Sequence, residues 1–180
     1  LHKSLKQWSY LALNYSAWAQ VEHADDLSRR EQSEEALRTF EQATKLFAET
    51  KKSLETKLGE IENLDEKTMA INLTRASDVR REYCLGRMAL EEAKILDKKG
   101  DHSSSSQKYG EAAQIFEKIA QAMESEQEKK ELKLIATLSQ AWQRMTLAEA
   151  EDSPNLYIEA SQFFDEAKEL SPNEKARMLA

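Results

Sequence analysis

The chain has 180 residues, of which 40% are hydrophobic and 33% charged, and its formal net charge is −7. With only 4 Gly and 2 Pro to interrupt helices, and with Val21 and Val79 as the only valines, the composition predicts an all-helical protein and argues against a β-sheet. The excess of acidic residues argues against nucleic acid or an anionic membrane as the main partner, because both are bound chiefly through Lys and Arg.

Cysteine usage and hydropathy bear on where the protein works. Cys84 is the only cysteine, so no internal disulfide can form, and we predict a reducing, cytoplasmic location. The sequence has no apolar run near the ~20 residues that a membrane-spanning helix needs. Because it starts at Leu1 rather than at Met, we interpret it as a fragment of a longer chain.

The first half of the chain predicts three long helices. Apolar residues at helical spacing predict the first over about residues 3–24, and the spacing of Ser28 and Glu31 as a capping box predicts that the second starts at about residue 29. A third is predicted over about residues 65–99. The second helix, ending at about residue 62, carries apolar residues in a seven-residue rhythm that predicts a coiled-coil-like seam against the third helix: Ala36, Phe40, Ala43, Phe47, Leu54, Leu58 and Ile61.

Residues that cap or stop helices mark the later boundaries. They are Gly100 with Asp101 or Ser103 before the fourth helix, Ser125 with Glu128 before the fifth, Ser153 with Pro154 before the sixth, and Ser171 with Pro172 before another. The sequence therefore predicts six long helices and the start of a seventh.

A helix face with a small, a large and then a small or apolar residue, at steps of four and three, occurs three times. Such a face lets a second helix pack closely. The sets are Ala36, Phe40 and Ala43; Ala112, Phe116 and Ile119; and Ala160, Phe164 and Ala167. We therefore predict three antiparallel helical hairpins, over about residues 1–62, 65–124 and 126–171, within a single helical-repeat domain spanning residues 1–180.

These residues resemble the tetratricopeptide repeat (TPR) family. The first helix of that repeat carries a large apolar residue, Leu, a small residue and an aromatic, an order matched by Trp8, Leu11, Ala12 and Tyr15. The second helix carries Ala, an aromatic, Ala and a closing Pro, matched by Ala160, Phe164, Ala167 and Pro172. The first two hairpins depart from the family by roughly a dozen extra residues between their half-motifs. The resemblance implies a right-handed, TPR-like α–α superhelix with extended hairpins.

The resemblance also implies a function. In TPR proteins the first helices of the repeats line a concave surface that grips an extended peptide or a partner helix, so we expect a non-catalytic scaffold that binds another protein. The residues expected on this surface come from the first, third and fifth helices: Lys6, Ser9, Leu13, Arg80, Tyr83, Arg87, Trp142, Met145 and Glu149.

The third-helix members of this set have two interpretations. Arg80, Tyr83 and Arg87 share a helix face and would suit an acidic or carboxylate-bearing segment. The alternative, which we favour, is that both arginines form ordinary ion pairs, with Glu82, Glu91 or a neighbouring helix, and that Tyr83 lies in the core.

The sequence offers little for catalysis. We find no convergent set of polar residues and predict no enzyme activity, no cofactor and no metal. Glu22, His23 and Asp26 could share a helix face and hold a metal, but a solvated helix end is the simpler interpretation. Cys84 lies among apolar residues and is predicted to be buried.

Two other functions stay open. The chain could be the repeat module of a larger enzyme or sensor that docks its own other domains. It could also be a self-associating structural bundle, in which the seam of the second helix continues across a dimer.

Overall fold

The computed structural model describes residues 9–171, and the side chains of residues 11–171. Its helices are α1 (Ser9–Arg29), α2 (Ser33–Lys57), α3 (Leu64–Lys98), α4 (His102–Ala122), α5 (Glu126–Glu151) and α6 (Pro154–Leu170). Of the described residues, 89% are helical and none lies in a β-strand, which confirms the prediction of an all-α protein. The predicted seventh helix lies outside the described residues.

None of the described helices combines the length and the apolar character that crossing a bilayer requires.

The end of α1 differs from the prediction. The helix continues beyond the expected break to Arg29, and the extra turn places Leu27 in the core, where it is 8% exposed. The chain then turns sharply, with the amide of Gln32 donating to the Leu27 carbonyl at 3.0 Å and Glu31 at a φ of 60°. The capping box predicted at Ser28 and Glu31 was therefore wrong, because burial of Leu27 favours one more turn of α1.

The starts of α4 and α5 agree with the sequence. Asp101, not Ser103, caps α4, since its Oδ1 accepts a hydrogen bond from the Ser104 amide at 3.1 Å. Ser125 caps α5 and accepts from the Glu128 amide at 3.4 Å. Both of these caps act within one turn of the chain, so the local sequence could predict them.

The first compact unit contains α1, α2 and the part of α3 up to Leu85. α1 packs along α2, with the rings of Trp18 and Phe47 edge to face at 6.3 Å. Lys51 of α2 forms an ion pair with Asp78 of α3 at 2.8 Å. The predicted seam of α2 is largely buried in this unit, with no exposed surface on Ala36, Phe40, Ala43, Phe47 and Leu54.

The second compact unit contains the rest of α3 with α4, α5 and α6. Ser105 of α4 donates to the carbonyl of Ala93 at 2.9 Å, and Phe116 lies against Gly86, so α3 and α4 run antiparallel. α5 packs against both α4 and α6, and sequential helices form hairpins as predicted. This arrangement places α5 between two neighbours, with one side left to face solvent.

The boundary between the two units lies inside α3, between Leu85 and Gly86. It does not coincide with the hairpin ends predicted at about residues 62 and 124. The single domain and the right-handed stack stay predictions.

Candidate functional site

The predicted binding residues of α1 and of the first part of α3 lie in the first unit. Lys6 is outside the described residues, and Ser9 is described only as the first residue of α1. Leu13 and Tyr83 are half-buried. Arg80 is half-buried too, and it contacts α1.

Arg80 ties α3 to α1. Its Nη1 donates to Oδ1 of Asn14 at 2.9 Å, and its guanidinium carbon lies 4.9 Å from the centre of the Trp18 ring. Asn14 is only 6% exposed, so this hydrogen bond satisfies a buried amide. The contact supports a structural role for Arg80, with a neighbouring helix as its partner.

The predicted binding residues of α5 lie in the second unit, as does Arg87, which is half-buried. Trp142, Met145 and Glu149 follow each other at steps of three and four, so they share one face of α5. Trp142 is 43% exposed, which is unusual for so large an apolar side chain. Met145 is half-buried beside it. We call Trp142, Met145 and Glu149 the α5 strip.

Two aromatic neighbours fix the indole of Trp142. Tyr109 of α4 stacks on it, with ring centres 6.3 Å apart and planes 25° from parallel. Phe164 of α6 meets it edge to face at 5.4 Å. Both arrangements are favourable for aromatic pairs, so the exposed indole is held in a defined orientation.

Tyr109 is the buried member of this aromatic cluster, at 6% exposure. Burial raises the pKa of its hydroxyl well above the ordinary value, and the negative charges of Asp97 and Glu91 raise the pKa further. The hydroxyl therefore stays protonated and neutral at physiological pH.

The last residue of the α5 strip belongs to a second group. Nδ1 of His102, the first residue of α4, lies 3.2 Å from Oε2 of Glu149 and 2.9 Å from Oδ1 of Asp97, in the last turn of α3. We call Asp97, His102 and Glu149 the histidine cluster. Each of the three side chains is about one-third exposed, at 36%, 34% and 35%.

Sequence reasoning missed this cluster. Asp97 and His102 flank the turn at Gly100 and could have been paired from sequence, since a tight turn brings the two helix ends together. Glu149 is 47 positions from His102 in the chain, and only the packing of α5 brings it there.

The residues considered from sequence as a possible metal site, Glu22, His23 and Asp26, lie on α1 and are not part of the histidine cluster. Glu22 and His23 are exposed on α1, and Asp26 forms an ion pair with Arg30 at 2.9 Å. Cys84 has no exposed surface, which confirms its predicted burial.

Comparison with protein families, with curated proteins and with solved structures gives no match. The resemblance to the TPR family therefore stays a prediction from the residues that carry it.

Proposed function

We propose that this chain is a non-catalytic protein-binding module and that a segment of the partner docks along the α5 strip. The main observation in support is the exposure of Trp142. Its side chain is 43% exposed, and aromatic residues of both neighbouring helices hold its ring in one orientation. Tryptophan is the residue most enriched among those that dominate the energy of protein interfaces. An indole already fixed in orientation loses little conformational entropy when a partner covers it.

The rest of the strip suggests the chemistry of the partner. Met145 offers an adaptable apolar contact next to the indole. At the far end, Glu149 and its neighbour Asp97 present two carboxylates, which favour a basic group. Trp142 and Glu149 are seven residues apart, or about 10 Å along a helix. A segment with an apolar anchor and a Lys or Arg about 10 Å away fits this spacing, as in a helix with the two residues two turns apart.

Selection of peptides from a display library tests this function. We expect enriched peptides to carry an apolar or aromatic residue and a basic residue at that separation. Replacing Trp142→Ala should weaken their binding at least about 30-fold, the effect of losing an interface residue worth ~2 kcal/mol. Tyr15→Ala is the matched control, because it removes a 69% exposed aromatic side chain from the other unit.

A second variant, the charge reversal Glu149→Lys, tests the docking surface even if Trp142→Ala perturbs folding. Glu149→Lys leaves the aromatic cluster untouched and should weaken binding of the basic peptides specifically. Peptides that bind wild type, Trp142→Ala and Glu149→Lys equally well would contradict the proposal. Thermal unfolding followed by far-UV circular dichroism shows whether each variant is folded.

A further inference from the structure

We propose that the histidine cluster of Asp97, His102 and Glu149 is a binding site for a divalent cation of the zinc type. The site shares Asp97 and Glu149 with the proposed docking surface, so a bound ion and a basic group of the partner would exclude each other there. The proposal rests on three ligand atoms, one from each side chain, that all lie within 4.8 Å of one another in the described part of the chain.

Two of the three distances between the ligand atoms fit zinc coordination, and the third is at most 4.8 Å. Zinc lies about 2.0–2.2 Å from imidazole nitrogen and carboxylate oxygen, so neighbouring ligand atoms in a tetrahedron are about 3.3 Å apart. Nδ1 of His102 is 2.9 Å from the Asp97 oxygen and 3.2 Å from the Glu149 oxygen. An ion can therefore enter with movements of a few tenths of an ångström along these two edges.

The charges at the cluster favour a cation. Two carboxylate oxygens converge on the same nitrogen of His102, and that nitrogen carries at most one proton to share between them. Within residues 9–171, Asp97 and Glu149 each contact this one nitrogen. A divalent ion bound to Nδ1 could instead coordinate both carboxylates at once, and its two positive charges would neutralise the two negative ones.

The helix ends add to this preference. Asp97 lies in the last turn of α3, which ends at Lys98, and Glu149 lies in the last turn of α5, which ends at Glu151. The unpaired carbonyls of a helix C-terminus carry partial negative charge and attract cations. His102 begins α4, whose free amides have the opposite effect, but Asp101 offsets part of it by accepting from the Ser104 amide.

The ligand set indicates which cation is preferred. One imidazole nitrogen with two carboxylate oxygens suits zinc, whereas magnesium and calcium prefer oxygen ligands alone. Three protein ligands leave the fourth position of a tetrahedron open. Because each side chain is about one-third exposed, a water molecule can reach that position.

Calorimetric titration of metal-free protein with Zn²⁺ tests the site. We expect one ion per chain, and at least about 10-fold weaker binding for His102→Ala, Asp97→Asn and Glu149→Gln. The two amide variants keep the side-chain shapes, so they report on ligation even if His102→Ala folds poorly. Titration with Co²⁺ should give the intense visible absorption of a four-coordinate ion in wild type and lose it in the three variants.

The other two histidines supply the matched control. His2→Ala/His23→Ala keeps only His102 and should bind Zn²⁺ like wild type. Trp142→Ala removes the docking anchor but no metal ligand, so it should also keep Zn²⁺ binding, and a failure of docking can be told from a failure of the metal site. The proposal is overturned if wild type binds no stoichiometric Zn²⁺, or if binding survives His102→Ala with unchanged affinity, since the ion would then be held elsewhere.

Discussion

At the scale of single residues, Tyr109 combines a buried hydroxyl with an exposed aromatic partner. Its ring supports Trp142 from α4, while its hydroxyl lies in an environment that disfavours the charged form. The negative charges of Asp97 and Glu91 act in the same direction as burial. The tyrosine therefore packs the core and also makes folding sensitive to alkaline pH.

Alkaline unfolding follows from the raised pKa of Tyr109. The unfolded chain releases this proton near the ordinary tyrosine pKa of about 10, whereas the folded protein keeps it to higher pH. The associated stability is present below pH ~10 and is lost as the pH rises above it. Urea unfolding at several pH values, with a chelator present, should show a smaller alkaline loss for Tyr109→Phe than for wild type.

The control for this experiment is a tyrosine on the surface of the other unit. Tyr15 is 69% exposed, and Tyr15→Phe should follow the wild-type pH dependence. Equal alkaline losses for Tyr109→Phe and wild type would show that burial of Tyr109 does not govern this pH dependence.

At the scale of elements, α3 and α4 pack closely at Gly86. A Cβ atom there would lie 2.7 Å from Cζ and 2.9 Å from Cε2 of Phe116, whose side chain has no exposed surface. Real Cβ atoms do not come so close, so the two helices can approach this far only with glycine in α3.

Gly86→Ala should therefore destabilise the protein by about 1 kcal/mol. Overpacking a core costs about 1–3 kcal/mol, and removing glycine from a helix interior regains about 1 kcal/mol. Gly59→Ala, in the turn after α2, is the control for replacing a glycine without overpacking, because nothing lies within 4 Å of its added Cβ. Urea denaturation of both variants measures the difference, and a Gly86→Ala protein as stable as Gly59→Ala would contradict the close approach.

At the scale of the whole molecule, the seam of α2 bears on self-association. Phe40, Phe47 and Leu54 have no exposed surface within the chain, so the residues that would form a dimer seam are already covered. The net charge of −7 adds repulsion between copies. These two observations favour a monomer over the self-associating bundle considered from sequence.

Sedimentation velocity should therefore give the mass of one chain over a wide concentration range. Raising the salt concentration screens the charge repulsion between copies. If the protein stays monomeric in high salt, the covered seam rather than the charge prevents self-association. A dimer that forms in high salt, or at high protein concentration, would contradict this expectation and favour the bundle.

Local signals in the sequence determined the helical class and several helix ends. Few breakers and strong apolar periodicity predict helices, and Asp101 and Ser125 cap them through hydrogen bonds within one turn. The spacing of Trp142, Met145 and Glu149 likewise placed them on one face of α5. These features depend on residues only a few positions apart, so no tertiary information is needed to predict them.

Tertiary packing decided the features that depend on distant residues. Burial of Leu27 extends α1 beyond its expected end, because the gain from covering an apolar side chain outweighs a local capping signal. Trp142 is exposed because the positions of Tyr109 and Phe164 leave one side of the indole uncovered. His102 and Glu149 meet only because α4 and α5 pack side by side. Sequence periodicity specifies which residues share a helix face, but packing between helices determines what that face meets.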